Sequence, residues 1–444
     1  VVNAPESIPA PASPSGARDS RDVAATRRFI AVAGFLSVAA ALALALAEAS
    51  GHQLDFDIYR MGATQVAGRH LYSTRVRIPG MHGPGMRFTY PPFAALMFWP
   101  FTWLSVSGGQ FGWAIFNVIV LAAIATVTLH TLRPDWSYQR IGVIVAVALF
   151  PALRLSPALL TLDLGQVNLF IALLVLVDLT CVVGVRTHAL PRGVLVGIAA
   201  AIKLTPLIFI PFLLLTRQFR AACTAVGTFL LCSLLAAVVA PHSSALYWTQ
   251  DVFDSRRSGN LMYISDQNAH SALQRLLGVP PSPLLAGALT LALAAGGLAV
   301  ATWAYRASSP MLGILLCATT GLMVSPITWS HHYVWVLPVI GWLALGADRP
   351  AGGRWWALGV AVLFWAAPIW WIPARDQQWG YGGPLVLLAG NSYFLAAVAF
   401  PILATLLLWS RRSVTAPGEP GARQPAVTIS NGTRAFRHIG SAQP

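Results

Sequence analysis

The sequence predicts an all-α polytopic membrane protein with about twelve transmembrane helices. Three observations carry this expectation. Of its 444 residues, 56% are hydrophobic and only 10% charged, whereas a soluble domain carries about a quarter charged residues. Mean hydropathy is +0.64. Apolar runs approaching the roughly 20 residues that cross a bilayer as a helix recur along nearly the whole chain.

The elements follow in order. Residues 1–26, rich in Pro, Ala and Ser, read as a disordered tail. The first span, 28–48, follows Arg27 and Arg28. Its apolar core exceeds a signal-peptide h-region and a long polar stretch precedes it, so it reads as an uncleaved anchor. "PPFAALMFWPFTWL" (91–104) has Pro at both ends and reads as a re-entrant or interfacial piece. Spans then fall at 110–131, 141–158 and 165–184. A short pair at 193–203 and 205–216, readable as one kinked helix, surrounds Lys203. Further spans are 220–240, 283–305, 311–325, 333–347, 355–372 and 388–409. Residues 413–444 read as a second tail, leaving 27–412 as the membrane domain.

Arginines punctuate alternate ends of these runs. By the positive-inside tendency both tails lie in the cytoplasm, and the long segments 49–90 and 241–282 lie outside, at the plasma membrane's outer face. The net charge of +14 does not form the aromatic-laced basic face of a nucleic-acid binder; membrane lipids and a phosphate-bearing substrate suit it better. Cys181, Cys223, Cys232 and Cys317 sit inside apolar runs without CxxC or His/Cys spacing, so neither a disulfide framework nor a metal site is expected.

Six polar segments converge on the outer face. They are "GHQLDFDIYR" (51–60) with Asp55 and Asp57, "FTYPPFAAL" (88–96), "LDLGQVN" (162–168), "IKLTPL" (202–207), "SDQNAHSAL" (265–273) and "SPITWSHHYVW" (325–335). Singly, each has a bland explanation. Carboxylates at a helix end are usually solvated, and Pro-Pro breaks a helix. Trp and Tyr populate interfaces, and Gln or Asn bond between helices. Lys203, the chain's one lysine, resists such an explanation, because an ionisable group in an apolar run is costly unless paired or functional. Arg154, in "FPALRLSP", has the same character.

Jointly these groups fit an acceptor hydroxyl activated by a carboxylate beside cations that neutralise a departing phosphate. One base without a covalent step gives inversion. No GxGxxG or P-loop calls for a nucleotide. "DFD" has the spacing of a metal-binding Asp-x-Asp but lacks a Rossmann-type setting. At i and i+2 its carboxylates diverge by about 200° on a helix. A lipid-linked-sugar transporter or flippase is the competing class, though transporters favour midplane charges and internal repeats. A non-catalytic membrane subunit is a third.

The motifs, in order, are D-x-x-x-Y (Asp55 to Tyr59), F-T-Y-P-P-F (Phe88 to Phe93), D-x-G-Q-x-N (Asp163 to Asn168), K-L-T-P (Lys203 to Pro206) and S-P-I-T-W-x-H-H-Y (Ser325 to Tyr333). This set, within about 28–410, resembles the actinobacterial lipid-linked mannosyltransferases of glycosyltransferase family 87. The resemblance implies a C-type glycosyltransferase fold and an extracytoplasmic site. It implies a polyprenyl-phosphate-mannose donor, a glycolipid acceptor of the phosphatidylinositol mannoside type, and an α-mannoside, α-1,2, formed with inversion. It implies no nucleotide sugar, and the residues themselves call for no cofactor or metal. Asp55 takes the position of the family's catalytic Asp, while Asp57 falls at a variable position. The functional histidine lies in the pair His331/His332. Lys203, Arg154 and that pair are assigned to the donor phosphate. Tyr90, Gln166, Asn168 and Asn268 are assigned to sugar hydroxyls, with Asp57, Tyr59, Asp163 and Trp329 as further sugar or acceptor contacts. Family members that transfer arabinofuranose lack the S-P-I block, which favours mannose here.

Overall fold

In lipid a single apolar segment satisfies its backbone only as a helix, and among the described residues helices predominate beside one two-stranded sheet. The computed structural model describes residues 15–77, 85–180, 190–254, 257, 259–260, 262–373, 377 and 383–415, the side chains at 15–24 and 412–415 excepted. Cys181 and most of both expected tails lie outside the described residues. Helix α1 (Ser15–Ala49) reaches back into the stretch that composition assigns to a tail, where Ala and Arg favour helix.

The described residues contain five helices long and apolar enough to cross a membrane: Ala25–Ala49 within α1, α4 (Val106–Leu132), α10 (Phe219–Val239), α13 (Pro283–Arg306) and Ser392–Arg411. A sixth crossing results if α5 (Tyr138–Leu153) and α6 (Ser156–Leu164), bent by 75°, form one broken span. The expected twelve therefore exceeds what the described helices supply. Several expected spans are shorter pieces: α7 (Asn168–Thr180), Thr205–Leu215 and α14 (Pro310–Val324). Pro206 and Pro157 sit in first turns after such breaks, where the ring would clash inside a continuous helix.

Lipid-facing and core helices separate by exposure. Phe35 on α1, Leu234 on α10 and Leu284 on α13 are largely exposed apolar side chains. By contrast every residue of α14 from Met311 to Met323 is buried, as expected of a helix apolar on all sides.

Three local features position the polar face. First, α2 (Leu54–Gln65) is clamped by rings: Tyr59 stacks on Phe98 at 4.6 Å, and Phe56 meets Phe101 edge-on at 5.5 Å. Such pairs contribute roughly 0.5–1.5 kcal/mol each beyond burial. Secondly, α8 (Val194–Ile202) starts where Asp178 of α7 accepts from the Gly193 and Val196 amides at 2.8 and 2.9 Å, satisfying donors that a helix start leaves free. Gly197 lets α8 lie against α10; a Cβ there would come within 2.6 Å of the Ala225 carbonyl. Thirdly, Met86–Arg87 pairs antiparallel with Arg75–Val76 and leads into α3 (Pro92–Met97).

Candidate active site

A cavity of about 630 Å³ opens where these pieces meet. Its wall combines the start of α2, the Thr89–Pro91 stretch, the α6–α7 turn, the residues after α8, and Ser325–His332. All six polar sequence segments thus contribute directly, the 265–273 segment through Ser265.

Asp55 sits in the first turn of α2, where a helix N-terminus favours negative charge, and lines the cavity. Loss of water raises its carboxyl to about 6, against the lowering pull of a Gln166 hydrogen bond and the charge of Lys203. Gln166 is held from the other side: its Oε1 lies 2.8 Å from the Tyr59 hydroxyl and 3.3 Å from that of Tyr90, leaving the amide N–H₂ for Asp55. Gly165 makes this placement possible. It ends α6 with φ +69°, and a Cβ would fall 2.6 Å from Cβ of Phe56. Its carbonyl accepts from Trp113 Nε1 at 2.9 Å.

Lys203 follows directly on α8. Its Nζ donates to Asn168 Oδ1 at 2.8 Å and lies 2.8 Å from His332 Nε2, with the Tyr90 ring centre 5.3 Å away. Asn168 Nδ2 in turn reaches the His331 carbonyl at 3.3 Å. His331 Nε2 and His332 Nδ1 are buried without partners, and both rings line the cavity. A lone ammonium with two spare imidazole nitrogens is an anion-binding arrangement.

The remaining sequence candidates divide. Tyr59, Tyr90, Gln166 and Asn168 join the network above, and Trp329 lines the wall with its ring 6.1 Å from that of Tyr263. Asp163 is exposed at the cavity edge. Asp57 points elsewhere and accepts from Gln110 at 3.0 Å, since α2 is helical from Leu54 and turns it away from Asp55. Arg154 is exposed and off the cavity wall; its charge bears instead on Glu48. Asn268 is fully buried as the cap of α12 (Ala269–Leu277): its Oδ1 accepts from the Ser271 amide at 2.8 Å, and its Nδ2 donates to the Pro326 carbonyl at 2.9 Å.

Sequence reasoning missed Asp266, two residues before that cap. It accepts from the Thr328 amide at 2.8 Å, Ser271 Oγ at 2.8 Å and Asn268 Nδ2 at 3.1 Å, and so ties the second long loop to the Ser325–His332 segment. It stood in a quoted segment, but only the fold reveals three donors around it. Arg87, Asp251 and Arg257 also line the cavity without having been singled out. Among the described residues, no three His, Cys, Asp or Glu side chains come together as a metal centre would require.

An apolar helical body with a polar cavity joining a carboxylate to a lysine flanked by two histidines defines a membrane-embedded group-transfer enzyme. The family model of glycosyltransferase family 87 matches residues 88–326, and the chain belongs to that family. A polyprenol-phosphate-mannose-dependent alpha-(1-2)-phosphatidylinositol mannoside mannosyltransferase of Mycobacterium tuberculosis is 33% identical over 381 residues, covering 81% of this chain and 86% of the relative. Its namesake from Mycolicibacterium smegmatis is 31% identical, covering 86% and 89%. A phosphatidylinositol pentamannoside mannosyltransferase of Mycobacterium tuberculosis is 30% identical, covering 70% and 72%. No solved structure matches the chain.

Proposed function

We propose that this protein transfers mannose from polyprenyl-phosphate-mannose to a hydroxyl of a phosphatidylinositol mannoside-type glycolipid, with inversion and with α-1,2 linkage. The observation that carries the reading is one cavity holding Asp55, with its carboxyl at about 6, together with Lys203 in contact with His332. The relatives' printed activities supply donor and acceptor.

In this reading the acceptor oxygen attacks the anomeric carbon of the donor mannose. The bond from that carbon to the phosphate oxygen breaks, and polyprenyl phosphate leaves with the electron pair. Asp55 takes the hydroxyl proton. Lys203, Asn168 and the two histidines hold the phosphate as its charge grows. Tyr59, Tyr90 and Gln166 orient Asp55 and the sugars, and Trp329 and Asp163 bound the acceptor. The donor's chain occupies a separate apolar cavity of about 390 Å³ between α14, α15 (Val336–Leu345), α16 (Gly353–Ala366) and the last helix. A crevice that includes Asn168 and His332 shares Leu322 and Trp335 with the lining of that cavity, so the phosphate and tail sites are neighbours.

The fuller architecture belongs to the same proposal. It is a C-type glycosyltransferase fold of about twelve crossings, with 27–412 as its catalytic domain, both tails cytoplasmic and the cavity facing the cell exterior. Purified protein incubated with polyprenyl-phosphate-mannose and a phosphatidylinositol mannoside tests the reaction. Wild type should form product and Asp55→Asn should not, with equal thermal stability. Turnover by Asp55→Asn, or none by wild type, overturns the reading.

A further inference from the structure

One wall of the cavity takes no part in the transfer step. It carries Arg87 from the strand pair, Tyr247 from α11 (Pro241–Thr249), and Asp251, Asp254 and Arg257 from the loop beyond. Arg257 Nη1 lies 2.7 Å from Asp251 Oδ2, with only 10% and 13% of those side chains exposed. Its Nη2 donates to the Tyr72 carbonyl at 3.1 Å, and its guanidinium sits 5.2 Å from the centre of the Tyr72 ring. Tyr72 stacks on Tyr247 at 5.6 Å. Arg87 is close enough for its charge to act on Asp251, and its buried Nε has no hydrogen-bond partner.

The balance of charge decides what such a wall can hold. The side chains that Lys203 touches, Asn168 and His332, are neutral, which leaves its charge for an anion. Here two arginines face two aspartates, so the groups sum to zero. A phosphate brought to this wall would gain from the guanidiniums and lose to the carboxylates. A sugar hydroxyl both donates and accepts, so a neutral polyol matches a wall of mixed donors and acceptors. Tyr247, held by its stack on Tyr72 behind the wall, adds an aromatic edge for the C–H face of a ring. The ion pair is already formed, so little side-chain entropy is lost on binding.

We propose that Arg87, Asp251 and Arg257 form an acceptor subsite, holding by its hydroxyls a neutral mannose unit of the glycolipid adjacent to the one that receives the new sugar. The proposal rests on the mannosyltransferase reading for the identity of the sugar. It assigns Arg87 the most direct contact, because its buried Nε has no hydrogen-bond partner, whereas Asp251 and Arg257 are already engaged with each other.

The test uses the full chain in detergent and two acceptors, a phosphatidylinositol mannoside and a phosphate-free alkyl dimannoside. Calorimetry of the alkyl dimannoside comes first, because it needs no turnover. Arg87→Met should weaken binding about tenfold, the loss of one charge-assisted hydrogen bond, and Arg87→Lys should retain part of it. In turnover, Arg87→Met should raise KM for both acceptors by a similar factor while KM for the donor stays within about twofold. A KM rise confined to the phosphate-bearing acceptor would mean a phosphodiester site and overturn the proposal. So would a rise in donor KM, or unchanged dimannoside binding in a variant that keeps the wild-type melting temperature. If Arg87→Met melts early, Arg87→Lys and Arg257→Lys carry the same comparison. Should wild type bind the dimannoside through Arg87 yet transfer no mannose, the functional reading fails and the subsite stands.

Discussion

The ammonium of Lys203 lies 2.8 Å from Nε2 of His332. That nitrogen therefore accepts, and the ring proton resides on Nδ1. Since Nδ1 is buried without a protein partner beside the cavity, a donor phosphate oxygen would complete it. Removing either member should act on the departing phosphate. Lys203→Met is expected to lower kcat/KM by roughly 10²–10³, in the range for a lost electrostatic stabiliser. His332→Ala should raise donor KM while leaving acceptor KM unchanged. Steady-state kinetics with each substrate varied checks both.

The pH dependence follows from Asp55. Its carboxyl is raised to about 6, and a base acts only when deprotonated. Activity should therefore fall as pH drops through 6, by about tenfold per unit below it. A kcat/KM profile from pH 5 to 8 reads this directly. A plateau extending unchanged to pH 5 would exclude Asp55 as the titrating base.

Asp57 supplies the contrast within one helical turn. Its carboxylate accepts from Gln110 away from the cavity, and an Asn side-chain oxygen can accept the same bond. Asp57→Asn should keep turnover within about threefold of wild type, an effect under about 1 kcal/mol. Loss comparable to that of Asp55→Asn would show that both carboxylates serve the chemistry.

Asp266 and Asn268 predict stability effects. Asp266→Ala strands three buried donors and should destabilise by about 3 kcal/mol or more, seen as a lower melting temperature in detergent. Asn268→Ala removes a helix cap and should cost about 1 kcal/mol without changing KM for either substrate.

At Gly165 a side chain meets both obstacles, a left-handed φ of +69° and the Phe56 side chain 2.6 Å from any Cβ. Gly165→Ala should displace Gln166 and lower both stability and turnover. Retention of full activity would mean that the turn relaxes without moving Gln166.

What the sequence by itself determined was the membrane class, the polar segments and the identities of Asp55, Lys203, His331 and His332. Burial of charge in an apolar chain is costly, so exceptions to apolarity stand out in one dimension. Tertiary structure alone decided which exceptions face one another. Asp55 and Asp57 are equivalent as letters, yet helix α2 sends one to the cavity and the other to Gln110. Arg154 and Lys203 both interrupt apolar runs, but only Lys203 follows a helix whose start is pinned by Asp178 and whose flank is set by Gly197. Asn268 looks like a ligand group until the Pro326 carbonyl, distant in sequence, claims its Nδ2. Side-chain direction depends on contacts distant in sequence, and those contacts exist only once the chain has packed.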